Sequence, residues 1–273
     1  MTGFSAEWLA LREPIDAAAR SAFITSRLSE LVRTYGASPR FFDLGCGTGA
    51  NARYLCPRIP GPQEWVLLDS DQRHLQRAAE LLAGYRRAGV SFEMRCLDLD
   101  GGLDALLFQA GAVVSASALL DLVSGDWLGR LLQRSCASNA IVLFALSYDG
   151  RLDFEPGEPD DELIRALVNR HQATDKGFGP ALGPSAATFV CARLEALRYQ
   201  VLSSRSDWVL DRTHARVQES LLRGWAQAAT EIAPGERGRC ERWLSTRLGY
   251  LDRGQSAMRV GHQDVIGWPS PPV

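Results

Sequence analysis

The feature that most constrains the fold of this chain is a glycine-rich turn between a short apolar strand and a helix. Residues 40–44 are typical of a buried strand, and Gly45, Gly47 and Gly49 follow them directly. The next helix is predicted to begin near Asn51. Glycine lets a backbone approach a ligand closely, and the N-terminus of a helix offers free N–H groups. The turn therefore predicts the crevice in which an open α/β sheet binds a nucleotide-like ligand.

Apolar strands alternate with helices through the first half of the chain. The strands are predicted at residues 40–44, 65–69, 90–96, 112–116 and 140–146, and the longer helices between them at 71–87 and 127–136. This alternation indicates a parallel sheet covered by helices on both faces. The second half predicts strands over 199–210 and 258–268 and helices over 162–172, 185–197, 214–230 and 236–248.

The N-terminal residues predict a helical cap. Two helical segments, 5–12 and 14–34, are predicted to be separated near Glu13, because Pro14 suits the first position of a helix. The cap is assigned to residues 1–35.

Two later segments predict additions to the sheet within one domain that spans residues 1–273. A stretch after strand five, residues 149–183, is rich in glycine and proline and predicts a cap or lid. Residues 211–250 predict a helical insertion between the last two strands.

An acidic side chain lies at the end of each of the first three strands. Asp43 lies two residues before the first glycine, and Asp69 and Asp98 end the next two strands. A carboxylate at Asp69 suits the two hydroxyls of a ribose, and Asp98 suits an exocyclic amine. The glycine spacing also fits a dinucleotide site, but Asp43 would repel a pyrophosphate there. A ligand with an ammonium or a sulfonium group is favoured instead.

The segment from Asp43 to Gly49 resembles the first motif of the class I S-adenosylmethionine-dependent methyltransferases almost letter for letter. Residues 114–121 are similar to the segment that follows strand four in that family. The resemblance implies a Rossmann-like, mostly parallel sheet of seven strands in the order 3-2-1-4-5-7-6, with the last strand antiparallel. It covers residues 40–146 well and 199–268 in outline, whereas the helical insertion at 214–248 departs from the family.

The resemblance also implies a cofactor site. S-adenosylmethionine would be the methyl donor and S-adenosylhomocysteine the product, with no metal. The glycines and the Cys46 backbone would hold its methionine part, Asp43 the ammonium group, Asp69 and Ser70 the ribose side, and Asp98 and Leu99 the adenine. The cofactor residues assigned in this way are Asp43, Gly45, Cys46, Gly47, Gly49, Asp69, Ser70, Asp98, Leu99 and Ser115.

Methyl transfer from a sulfonium needs alignment and desolvation more than a dedicated catalytic group. A base matters only when the acceptor must lose a proton. Asp121 and His171 are the catalytic candidates, and Asp121, His171 and Lys176 are candidate acceptor contacts. Asp121 alternatively caps the helix near Ser124, and the stretch with His171 and Lys176 alternatively forms an ordinary solvated loop.

Trp8, Arg12, Asp16 and Arg20 recur every fourth residue and would share one face of a continuous helix. Trp8, Arg12 and Arg20 are therefore candidate substrate-binding residues, with the arginines contacting an anionic acceptor or the cofactor carboxylate. The alternative is an exposed ladder of salt bridges.

Composition narrows the acceptor class. The formal net charge of -2 argues against a nucleic acid partner, and no stretch of eighteen apolar residues predicts a membrane helix. The six cysteines form no C-x-x-C pair and suit a reducing, cytoplasmic compartment.

A small-molecule acceptor methylated on oxygen or nitrogen is the preferred hypothesis. An RNA or protein methyltransferase and an inactive protein of the same fold are the alternatives, and the oligomeric state is unknown.

Overall fold

A computed structural model describes residues 4–35, 39–86 and 89–270. Residues 1–3 of the predicted N-terminal cap and residue 87 of the helix predicted over 71–87 lie outside these ranges. The strands are β1 Arg40–Leu44, β2 Gln63–Asp69, β3 Val90–Cys96, β4 Val113–Ser117, β5 Ile141–Glu155, β6 Tyr199–Arg205, β7 Trp208–Leu210 and β8 Ala257–Pro269. The helices are α1 Ala6–Ala19, α2 Ala22–Tyr35, α3 Ala50–Leu55, α4 Gln72–Leu82, α5 Leu99–Gly102, α6 Gly125–Ala137, α7 Asp161–Gln172, α8 Ala186–Ala196, α9 Ala215–Ile232 and α10 Arg237–Asp252.

The strands form one mixed sheet in the order β3-β2-β1-β4-β5-β8-β6, with β7 also paired to β8. The strands β1 to β5 are parallel to one another, and β8 is antiparallel to β5, β6 and β7. Because β8 is the strand predicted as the seventh, the structure confirms the Rossmann-like order and the antiparallel strand.

The strand predicted over 199–210 is two strands in the structure, so the sheet has eight strands rather than seven. The register against β8 is unbroken, since Arg205 pairs with Gln263 and Trp208 with Val260. The interruption is local: the carboxylate of Asp207 accepts a hydrogen bond from the N–H of His262, at 3.2 Å, and also binds Arg151.

Strand β5 is much longer than the predicted 140–146, because residues 147–155 continue it. Its register against β8 shifts twice, near Leu146 and near Gly150, and both residues have positive φ angles, of 54° and 89°. These two bulges bend the strand instead of ending it. Its far half, with β7 and the first half of β8, extends the sheet beyond the parallel strands.

Helix α1 runs through Pro14, so the prediction of a break near Glu13 was wrong. Proline removes one backbone donor. Packing of the helix compensates for this loss, because Ile15 is buried against the extended part of the sheet. The real break lies at Arg20, where the next amide, Ser21 N, donates to Asp264 Oδ2 at 2.9 Å.

The buried apolar residues form three clusters. One fills the face of the sheet under α6 and α8, and a second fills the face under α2, α3 and α4. The third lies between the extended part of the sheet and helices α1, α7, α9 and α10. The two long helices between β7 and β8 therefore pack with α1 and α7 on the far half of β5 and β8. Among the described helices, none is long and apolar enough to cross a membrane.

Candidate active site

A cavity of about 360 Å³ lies where β1, β2, β3 and β4 end. The glycine turn, the three strand-end acids, the N-terminus of α1 and the loop after α7 all contribute to its wall. Eight of the ten predicted cofactor residues line it: Asp43, Gly45, Cys46, Gly47, Asp69, Ser70, Asp98 and Leu99. The two that do not are Gly49 and Ser115.

The glycine turn is shaped by left-handed backbone and by close neighbours. Gly45, Gly47 and Gly49 have φ angles of 60°, 53° and 81°. A Cβ atom on Gly47 would lie 3.1 Å from Leu9 of α1, which forms one side of the cavity. A Cβ atom on Gly49 would meet Leu82 and Ala78 of α4, at 3.2 and 3.3 Å. Gly49 therefore serves the packing of α4 behind the turn.

Asp43 lies at the base of the cavity in a buried hydrogen-bonded chain. Its Oδ1 accepts from Asn51 Nδ2 at 2.6 Å and from Ser115 Oγ at 2.9 Å. Its Oδ2 is buried and has no hydrogen-bond partner within the described structure. Burial raises the pKa of Asp43 to about 6, against the hydrogen bonds from Asn51 and Ser115. Ser115 thus orients Asp43 from β4.

Arg20 continues this chain on the other side of Asn51. Arg20 Nη1 donates to Asn51 Oδ1 at 2.7 Å, and Arg20 Nε lies 3.4 Å from Asp264 Oδ2. Arg20 Nη2 is buried and has no hydrogen-bond partner in the described ranges. Arg20 lines a smaller adjoining cavity of about 180 Å³ that shares Asp16, Asn51 and other residues with the main one. An unpartnered carboxylate oxygen and an unpartnered guanidinium nitrogen therefore flank one asparagine.

Asp69 is fixed by the turn that it faces. Its Oδ2 accepts from Gly47 N at 2.8 Å, and its Oδ1 accepts from Asp71 N at 2.9 Å. His74 lies beside it, with Nδ1 at 3.6 Å from Oδ1, and His74 Nε2 lies 3.0 Å from the carbonyl oxygen of Phe4. His74 is buried, and through it the residues before α1 are tied to Asp69.

Arg12 and Asp16 of α1 line the main cavity as an ion pair. Arg12 donates to Asp16 with Nε at 2.9 Å and Nη2 at 3.1 Å, and Trp208 Nε1 donates to Asp16 at 3.0 Å. The Arg12 guanidinium lies 4.9 Å from the centre of a Trp208 ring. Burial raises the pKa of Asp16, against the attraction of Arg12. The Arg12–Asp16 pair therefore lies inside the fold, unlike the exposed ladder of salt bridges named as the alternative. Trp8 packs beside this pair, against the third apolar cluster.

The catalytic candidates lie outside the set of side chains that line the cavity. Asp121 is buried under the wall, and burial raises its pKa to about 6 against backbone hydrogen bonds and the attraction of Arg12. It does not cap α6, because Ser124 does so. His171 lies 3.1 Å from Glu231 of α9, through Nε2. The catalytic roles of Asp121 and His171 stay predictions. Lys176, five residues later, does line the cavity.

Several wall residues carry no signal in the sequence. Asn51 lies in the first turn of α3, and nothing in the sequence links it to Asp43. Phe4, Leu9, His74 and Phe178 reach the cavity only through the tertiary fold. His74 in particular follows an ordinary surface pattern on α4. Among the described residues, no group of three His, Cys, Asp or Glu side chains is arranged to hold a metal ion.

The comparisons with known proteins support the fold. No protein-family model and no curated protein sequence matches the chain. Among solved structures, a cyclopropane-fatty-acyl-phospholipid synthase-like protein from Lactobacillus casei matches with a TM-score of 0.52, at 11% identity, over 94% of this chain and 99% of the other. A protein of Bacillus halodurans assigned provisionally as a methyltransferase matches with a TM-score of 0.50, at 12% identity, over 90% and 100%. The chain has the fold of the class I methyltransferases.

Proposed function

We propose that this protein is an S-adenosylmethionine-dependent methyltransferase that acts on an oxygen or nitrogen atom of a small molecule. The observation that carries the proposal is the pair of unpartnered buried atoms, Asp43 Oδ2 and Arg20 Nη2, on either side of Asn51. Buried polar atoms without hydrogen bonds are unfavourable, so Asp43 Oδ2 calls for a cationic donor, and Arg20 Nη2, whose guanidinium also contacts Asp264, calls for a further acceptor. The ammonium and carboxylate groups of an amino acid match these two atoms.

The rest of the cavity fits the remaining parts of the same cofactor. The backbone of the glycine turn lies open beside Asp43, and Asp69 closes the turn from β2. Each Asp69 oxygen accepts one backbone bond, which leaves capacity for the hydroxyls of a ribose. Asp98 and Leu99 line the cavity beyond β3, where an adenine would lie.

The residues of the wall favour transfer by exclusion of water and by alignment. When bound, the cofactor would supply an activated methyl group: an acceptor oxygen or nitrogen would bond to the methyl carbon as the carbon–sulfur bond breaks, with S-adenosylhomocysteine leaving and any acceptor proton passing to solvent. Leu9, Leu119, Leu122 and Phe178 give the wall an apolar part beside its polar groups. Such a wall keeps water away from the reacting groups. Because Arg12 and Asp16 are paired, together they add no net charge beside those groups.

The cover over the cavity supports a small acceptor. Helix α1 contributes Leu9, Arg12 and Asp16, and the loop after α7 contributes Lys176, Gly177 and Phe178. We propose that residues 1–35 and 149–183 act as the cap of a single domain, with residues 211–250 as a helical insertion between the last two strands.

Calorimetry with two ligands tests the proposal. S-adenosylhomocysteine carries the ammonium and carboxylate groups, whereas 5′-methylthioadenosine lacks both. We expect the wild type to bind both, and Asp69→Ala to weaken both by about tenfold or more. Asp43→Asn should weaken only S-adenosylhomocysteine. The exposed carboxylate of Asp104 provides the matched control, Asp104→Asn. A wild type that binds neither ligand would overturn the proposal, and transfer of a labelled methyl group to an RNA or a protein would overturn its small-molecule part.

A further inference from the structure

The only lysine of this chain, Lys176, lies in the wall of the cavity. Its loop is fixed from both sides. Asp175 Oδ1 accepts from Gly177 N at 2.7 Å and from Gly179 N at 3.1 Å, and Leu182 N donates to Val123 O at 2.9 Å. The backbone on both sides of Lys176 is thereby held in a wall that also contains the residues after β4.

The amine contacts a hydroxyl oxygen and an imidazole nitrogen. Lys176 Nζ donates to Thr174 Oγ1 at 2.9 Å and lies 3.4 Å from His171 Nδ1. Since the ammonium group can only donate, His171 Nδ1 accepts and its Nε2–H points to Glu231. The carboxylate of the adjacent Asp175 accepts hydrogen bonds from two backbone amides of its own loop. Within the described residues, no carboxylate oxygen lies within 4.0 Å of Lys176 Nζ.

The other nearby cations already have assigned partners. Arg12, which shares the wall with Lys176, is bound by Asp16 through two hydrogen bonds. Arg20 lies at the end of the hydrogen-bonded series Asp43–Asn51–Arg20, beside which the proposed function places the cofactor's amino-acid part. Lys176 is therefore the cation of this wall without a nearby carboxylate. Burial lowers the pKa of its amine, and the more distant Glu231 opposes this.

We propose that the methyl acceptor carries an oxyanion, a carboxylate or a phosphate, which pairs with Lys176. The inference rests on the proposed function and names the substrate class for the same cavity. A half-buried ammonium gains more from a charge-assisted hydrogen bond to an anion than from one to a hydroxyl. Phe178, next but one in the loop, and Leu122 offer contact to an apolar body. The acceptor class is a small organic anion with an apolar part.

The single lysine allows a direct readout. Protein grown with [13Cε]lysine gives one lysine signal, which a Lys176→Arg variant must abolish. With S-adenosylhomocysteine present, benzoate and phenyl phosphate are titrated as probes, and benzamide serves as the uncharged match for benzoate. We expect at least one of the two anions to shift the signal and benzamide to leave it unchanged. The anion that shifts the lysine signal identifies the oxyanion as a carboxylate or a phosphate.

Affinity supplies the second readout. Calorimetry of the effective anion should show binding about tenfold weaker in Lys176→Met and within about threefold of wild type in Lys176→Arg. No shift with either anion, or an equal shift with benzamide, would overturn the inference.

The cofactor's own carboxylate is the competing partner of Lys176. A shift with S-adenosylhomocysteine that 5′-methylthioadenosine does not produce would assign Lys176 to that carboxylate and would also overturn the inference. Failure of the wild type to bind S-adenosylhomocysteine is a separate result, since it removes the proposed function on which the inference rests.

Discussion

At the scale of single residues, Asp121 is a carboxyl group that the fold buries without an ion pair in the described structure. Burial raises its pKa in the folded protein to about 6, whereas an unfolded chain has the ordinary value near 3.8. The folded state therefore holds the proton more tightly. Between these two pH values the unfolded state binds fewer protons, so the free energy of unfolding falls as the pH rises.

We predict that Asp121→Asn removes this part of the pH dependence. An amide keeps the size and one acceptor but does not ionise. The free energy of unfolding of the variant should therefore rise relative to wild type from about pH 4 to pH 7, by up to roughly 3 kcal/mol. Urea unfolding of both proteins at several pH values measures the difference. The control Asp104→Asn alters an exposed carboxylate and measures the effect of removing a surface charge. A flat curve for Asp121→Asn would contradict the burial argument.

The sequence located the acids at the strand ends but not the atoms that pair with them. Asp43, Asp69 and Asp98 follow from strands that end beside a glycine turn, a purely local pattern. Asn51, which links Asp43 to Arg20, depends on where α1 ends and how it meets α3. The spacing from Arg12 predicted Arg20 as a binding residue on the same helix face. The two arginines line different cavities, because the chain turns at Arg20.

At the scale of elements, Asp264 of β8 joins three parts of the fold. Its Oδ2 accepts from Ser21 N at the break between α1 and α2, and its Oδ1 accepts from Leu146 N at the first bulge of β5, at 2.8 Å. Arg20 lies beside it. Leu146 has a left-handed backbone, which is unfavourable for a leucine and depends on such a support.

We predict that Asp264→Ala destabilises the protein by about 3 to 5 kcal/mol, because it leaves two buried amides and the Arg20 guanidinium without their acceptor. Asp264→Asn keeps one carbonyl acceptor and should lose less. Denaturant unfolding of the two variants against wild type measures both values. Asp252→Ala, at the end of α10, is the matched control. Equal stability of Asp264→Ala and wild type would show that the bulge and the helix break hold without this carboxylate.

The elements that were mispredicted are those that tertiary packing decides. Pro14 gave a local signal for a helix start, but burial of Ile15 against the extended part of the sheet holds the helix together across it. Gly150 signalled a loop after β5, but pairing with β8 carries the strand past it as a bulge. In contrast, the order of the sheet follows from the alternation of strands and helices, together with the resemblance in the glycine turn.

At the scale of the whole molecule, the cavity is closed by parts of the chain that are distant in sequence. The strand ends form its floor, whereas α1 and the loop after α7 form its cover. The cover is tied to the floor by few polar contacts, such as those of His74 with Phe4 and of Arg53 with Glu13. A ligand that fills the cavity should therefore stabilise the cover as well as the floor.

We predict that S-adenosylhomocysteine slows amide hydrogen exchange in three separate regions: residues 4–19, 41–51 and 173–179. The first and last belong to the cover and the second to the glycine turn, so one ligand protects all three only if the cover closes on it. Helix α10 has no residue in the cavity wall and provides the internal reference. Exchange measured by mass spectrometry with and without the ligand gives the comparison. Protection confined to residues 41–51 would mean that α1 and the loop do not close over the cofactor, and the proposed cap would then lack its function.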